Sequence, residues 1–133
     1  MSAAVELQTA IYTAITGNAP LMAAVDAVYD DVPDNTNTFP YVTIGEDVLN
    51  QWDTDGHLGF DASVTIHVWS RYRGRREVKQ IQKLIYDVLH NGALVYSTFD
   101  GIMCQQRSAE SFADPDGLTR HGVQVFNVLM QKQ

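Results

Sequence analysis

The chain has 133 residues, 45% of them hydrophobic, and a formal net charge of −7. A chain of this length suits a single domain spanning residues 1–133, able to bury roughly two thirds of its unfolded surface, and its apolar content excludes a disordered tail. No apolar run approaches the ~20 residues that a membrane-crossing helix needs, and a single cysteine, Cys104, excludes an internal disulfide framework or a multi-thiolate metal site.

From Ala3 to Thr16, Leu7, Ile11, Ala14 and Ile15 recur at helical spacing. Gly17 follows and is expected to end the helix in a left-handed cap. Asn18-Ala19-Pro20 opens a second short helical turn that buries Leu21, Met22 and Val25. A brief strand at Val28–Tyr29 runs into a turn-rich stretch, DDVPDNTNTFP, and Tyr41–Asn50 is the next strand. The loop QWDTDGHLG, rich in turn formers and acids, separates it from Phe60–Ser70. In that strand Val64, Ile66 and Val68 alternate with Ser63, Thr65, His67 and Trp69, the period of a half-buried strand. Beyond Gly74 a long amphipathic helix buries Val78, Ile81, Leu84, Ile85, Val88 and Leu89 and turns Lys79, Gln82, Lys83 and Asp87 outward. It stops at His90-Asn91-Gly92. Strands are expected at Leu94–Tyr96, Ile102–Phe112 and Thr119–Met130, the last two joined by the turn Asp114-Pro115-Asp116-Gly117. Helix, strands, helix, strands is the order of an α+β fold: a mainly antiparallel sheet carrying the N-terminal helix and the long helix on one face.

Catalytic and metal motifs find little support. Of His57, His67, His90 and His121, no two lie three to five positions apart, so no zinc pair forms on a helix face. His67 reads as a hydrogen-bonded structural histidine. His121 and Asp116 flank a turn, where a turn-stabilising hydrogen bond is a better reading than a proton-transfer pair. Asp53, Asp55 and Gly56 start like a calcium loop, but Gln51 or Val64 then falls at a ligand position. Cys104 lies in a strand-like stretch and reads as a small buried apolar residue. No nucleophile elbow, Walker loop or dinucleotide fingerprint occurs, so the chain is expected to be neither an enzyme nor a cofactor binder. The first residues, MSAAVELQ, lack the basic start and apolar middle of a signal peptide, which points to synthesis in the cytosol.

Charge is divided unevenly. Residues 1–70 hold ten acids and no Lys or Arg; residues 71–133 hold all nine basic residues and six acids. Arg71, Arg73, Arg75 and Arg76, with Tyr72 among them and Lys79 and Lys83 beyond, make the main basic run. Positive charge at a helix N-terminus opposes the helix dipole, so a demand other than helix stability keeps it there. An overall negative chain is a poor grip for DNA, and a protein partner is the better reading.

Four stretches, YDDVP at 29–33, FPYVTIGED at 39–47, IHVWSRYRGRREV at 66–78 and DPDGLTRHGV at 114–123, together resemble the tail completion, or tail terminator, family of long-tailed bacteriophages, related prophages and gene transfer agents. The resemblance runs in order from about Leu7 to Val128. It implies a structural virion protein of the tail and neck, assembled in the host cytoplasm. Such a protein forms a hexameric ring on the head-proximal end of the tail tube, ends tube growth and docks to the neck protein of the head, with DNA passing through the channel unbound. A head-side connector or stopper of the neck is the alternative, and a nucleic-acid-binding module or a small hydrolase stands behind it.

A closed ring uses heterologous contacts, one face of a subunit meeting a different face of the next, and oppositely charged halves suit such contacts. Arg71, Arg73, Arg75 and Arg76 are therefore expected to face Asp30, Asp31 and Asp34 of the next subunit. Trp52, with Asp53 and Asp55, is expected to contact the tube, a neighbouring ring or the lumen, because exposed tryptophan is enriched in binding hot spots.

Overall fold

The structure, a computed structural model, describes residues 2–33 and 38–133. Helices α1 (Ala3–Thr16), α2 (Ala19–Ala24) and α3 (Arg76–Leu89) accompany strands β1 (Ala27–Tyr29), β2 (Tyr41–Gln51), β3 (Gly59–Ser70), β4 (Phe99–Ala113) and β5 (Arg120–Lys132). The strands form one sheet in the order β1-β2-β3-β5-β4. Every pairing is antiparallel except β1 with β2, which is parallel. This is the expected α+β arrangement.

Alternation assigns the two faces of the sheet. Val42 and Ile44 of β2, Ala62, Val64, Ile66 and Val68 of β3, and Phe126, Val128 and Met130 of β5 point to the helices and are buried in one apolar cluster. The expected core residues Val78, Ile81, Ile85 and Leu89 of α3 join them fully, whereas Val88 and Leu84 are only partly covered. Gly122 lets α3 approach β5: a Cβ there would lie 2.6 Å from both Val78 Cγ1 and Gln82 Nε2.

Local chemistry sets the element ends. Ser2 caps α1 by accepting from Val5 N, and Asn18 caps α2 by accepting from Leu21 N. Gly117, at φ +73°, closes the Asp114 turn by donating its N–H to the Asp114 carbonyl.

Three expectations need correction. Gly17 is not left-handed: its φ is −81°, because the chain passes directly into the Asn18 cap of α2 instead of reversing. At the end of α3 it is Asn91, φ +58°, that takes the left-handed position. Leu94–Tyr96 is not a strand. Leu94 packs against the core and Tyr96 is buried, but Val95 points to solvent, and β4 begins only at Phe99. Gln82 is buried rather than outward, since its amide donates to the Glu110 carbonyl of β4 at 2.9 Å and so satisfies the polar group away from water.

Candidate functional site

The basic run occupies the connection from β3 to α3. Gly74, at φ +88°, supplies the left-handed residue that turns the chain. Arg71 is tied to its own chain: its Nε donates to Thr119 Oγ1 at 3.4 Å and its guanidinium lies 4.5 Å from the centre of the Phe39 ring. Arg73, Arg75 and Arg76 are exposed and form no salt bridge among the described residues. Arg75 stands at the N-cap of α3 without making a side-chain cap. Among the described residues the helix start therefore carries three unpaired cations, and no side chain caps its N–H groups.

Along α3, Arg75 and Arg76 border a groove of about 850 Å³. Ala24 and Leu84 supply its apolar surface, and Arg75, Arg76, Lys79 and Lys83 surround it without a carboxylate among its lining residues. Lys83 alone of the four is neutralised, by Asp87 at 2.5 Å. The basic residues were visible in the sequence. The apolar floor was not, because it depends on α2 packing beside α3.

The acids predicted to oppose the arginines lie elsewhere. Asp30 and Asp31 are exposed just after β1; Asp34 lies outside the described residues. β1 starts level with Tyr41 and Trp69 and runs parallel to β2, away from the arginine end. Asp30 accordingly borders a small cavity with Gly45, Asp47 and Val64, farther down the sheet. The fold thus keeps this acidic segment apart from Arg73, Arg75 and Arg76 within one chain.

Trp52, Asp53 and Asp55 sit at the opposite end of the sheet, in the turn between β2 and β3. Twelve residues of β3 put the two ends on the order of 35 Å apart at ~3.3 Å per residue. The turn is a tight hairpin, with a Thr54–His57 bridge and Gly56 at φ +74°. Asp53 braces it, one carboxylate oxygen accepting from Gln51 Nε2 at 2.8 Å and Gly59 N at 3.2 Å. Trp52 is half-buried and folds back over Gly59, where a Cβ would lie 3.0 Å from the indole. Its ring is thus partly used inside the hairpin, while Asp53, Asp55, His57 and Leu58 are exposed.

His121 does not pair with Asp116. That carboxylate accepts from Leu118 N, Thr119 N and Thr119 Oγ1, all within 2.8 Å, and these hydrogen bonds hold its pKa down to about 2. His121 instead faces His67 at 2.7 Å and Asp114 at 3.6 Å. His67 in turn meets Glu46 at 2.8 Å, which bears out its reading as a hydrogen-bonded histidine. Cys104 is buried as expected, and burial pushes its thiol up to about 11. Among the described residues no group of three or more His, Cys, Asp or Glu is arranged to hold a metal ion.

A profile of the family described as "Tail completion protein gp17" matches residues 9–131. The tail completion protein gp17 of Bacillus phage SPP1 is 27% identical over 117 residues, which cover 88% of this chain and 86% of that protein. The solved structure of SPP1 gp17 superposes with a TM-score of 0.63 at 26% identity, over 95% of this chain and 89% of that one. A chain in the virion of a native gene transfer agent particle superposes with a TM-score of 0.90 at 24% identity, covering 98% of each, and shares the fold.

Proposed function

This chain belongs to the gp17 family of tail completion proteins, and from that premise we propose that it is a structural virion protein that ends the phage tail and joins it to the head. The match of the family profile from residue 9 to residue 131 carries the reading, since it takes in every strand of the sheet and the long helix. We further propose that six copies form a ring on the head-proximal end of the tail tube, with the tube protein on one side and the neck protein on the other. DNA passes through without specific binding, which suits a chain of net charge −7.

Arg73, Arg75 and Arg76 are exposed without an ion pair among the described residues, and Asp30 and Asp31 lie farther down the same subunit. A heterologous contact lets the cationic end of one copy meet Asp30, Asp31 and Asp34 of the next. Arg71 supports this contact from behind, being held by Thr119 and Phe39. At the far end, the hairpin of Trp52, Asp53 and Asp55 reaches the tube or an adjoining ring.

The test is electron microscopy of particles made without this protein. Overlong tails, and filled heads that remain unjoined, are expected. Tails of normal length that merely fail to join would assign the chain to the head side of the neck. Joined particles of normal length would overturn the reading.

A further inference from the structure

On the sheet face that no helix covers, four titratable side chains form a row across the strands. Glu46 comes from β2, His67 from β3, His121 from β5 and Asp114 from the turn after β4. The contacts in order are Glu46 Oε1 to His67 Nε2 at 2.8 Å, His67 Nδ1 to His121 Nε2 at 2.7 Å, and His121 Nδ1 to Asp114 Oδ1 at 3.6 Å. The row is fixed mechanically. His121 stacks on Trp69 with ring centres 3.7 Å apart and meets the edge of Phe112, and His67 lies over Gly45, where a Cβ would be 2.7 Å from its ring. The charged groups that face the two rings are Glu46 and Asp114.

We propose that His67 and His121 form a pH-sensitive clasp on the open sheet face, closed with one added proton or none and forced open by a second.

Counting hydrogens leads to this. Two neutral imidazoles bring two N–H groups. Directed one way, they fill the two short contacts: His67 Nε2–H donates to Glu46, and His121 Nε2–H donates to His67 Nδ1. A bare His121 Nδ1 then faces the Asp114 carboxylate, at a distance too long for a hydrogen bond. One added proton completes the row, because His121 Nδ1–H can close on Asp114 with a carboxylate at each end balancing the charge. A second added proton has no place. It would set N–H against N–H at 2.7 Å and put two imidazolium ions side by side. Burial, then the charge of His67, hold the pKa of His121 below its ordinary value, with Asp114 and Glu46 opposing. For a base with a lowered folded pKa, the unfolded chain binds more protons. The first proton therefore leaves the clasp closed, and its stability is lost only as the facing pair takes up the second, below the ordinary imidazole range of about 6.5.

The experiment follows the imidazole nitrogens of the full chain by long-range proton–nitrogen NMR from pH 8 to pH 4. The expected result is that His67 and His121 report the same two separated steps, as coupled sites do. Between the steps one nitrogen of the facing pair should remain a hydrogen-bonded acceptor. Glu46→Gln changes an exposed side chain and keeps a hydrogen-bond acceptor, so the fold is retained; the first step should move down by about half a pH unit or more, for loss of one nearby negative charge. Independent single steps at the two rings, or a first step unmoved in Glu46→Gln, would overturn the proposal.

Discussion

The two faces of the sheet are built from the same strands and behave as different materials. On the helix side, β3 and β5 contribute Val64, Ile66, Phe126, Val128 and Met130, all essentially without solvent contact. On the other side the same strands present Asp61, Ser63, Thr65, His67 and Trp69, with His121, Val123, Val125 and Asn127, every one half-buried. That open face is held by directional contacts. Arg107 donates to Asn127 at 2.7 Å and Asn127 to Asp61 at 2.8 Å, while Tyr41, Trp69, His121 and Phe112 line up across four strands. Stability therefore resides in the covered face. Under the proposed function, the open face and the two ends of the sheet are left to specify contacts.

The largest effect should come from breaking the covered face. Ile85 is fully buried between α3 and the sheet, and Ile85→Ala should cost ~2–5 kcal/mol, the range for truncating a buried aliphatic side chain. Urea unfolding of the two proteins measures it, and a change within the scatter of the midpoints would mean that α3 does not pack as described. Next comes overpacking at the same boundary. Gly122→Ala sets a Cβ against Val78 and Gln82 at 2.6 Å, and should cost ~1–3 kcal/mol through displacement of α3. A variant as stable as the parent would show that the helix has room to move.

Much of this contrast was legible in the sequence, and the gaps have physical causes. Period-two alternation marked Val64, Ile66 and Val68, and helical spacing marked Ile81 and Ile85, because each pattern is local. Side chains that break the pattern were missed. Gln82 and Gln124 look like surface residues, yet the Gln124 amide donates to the Gln82 carbonyl and to Gln106 Oε1, so their burial depends on partners from two other elements. Glu6 is similar: its carboxylate accepts from Thr98 N and Oγ1, 92 residues away in sequence, and those hydrogen bonds lower its pKa. The arginine run could be read directly, whereas the groove it borders needs α2 beside α3. The histidine row was hidden because β5 enters the sheet between β3 and β4, out of chain order.

At the hairpin end the expected effect on folding is smaller. Trp52 packs over Gly59 but remains half-buried, so Trp52→Ala should cost about 1–2 kcal/mol, below a core truncation. A loss of joined particles greater than this destabilisation explains would mark the hairpin as a contact with the tube or an adjoining ring. Wild-type yields would show that the tryptophan serves only the hairpin.

The smallest effect on the isolated chain, and the sharpest test of the division, belongs to the arginine end. Arg73 and Arg76 are exposed and make no ion pair among the described residues. Reversing both to Glu should not destabilise the isolated chain, since a negative charge at the start of α3 favours the helix dipole by ~0.3–1 kcal/mol. The proposed ring should respond differently, because in it each reversal would turn an attraction into a repulsion at every interface. An exposed pair contributes only ~0–1 kcal/mol, so no single pair holds the ring. The contacts repeat around it, however, and salt should weaken them, the Debye length being about 8 Å at physiological ionic strength. Reversing Asp30 and Asp31 to Lys in the Arg73→Glu, Arg76→Glu background should restore part of the assembly, and the double-mutant cycle isolates that coupling from effects on either side alone. Sedimentation velocity at low and high salt reads every arm. Coupling of zero, with assembly lost only through the arginines, would place these cations against the head or tube rather than the next subunit. A normal ring in the arginine variant would remove them from the interface altogether.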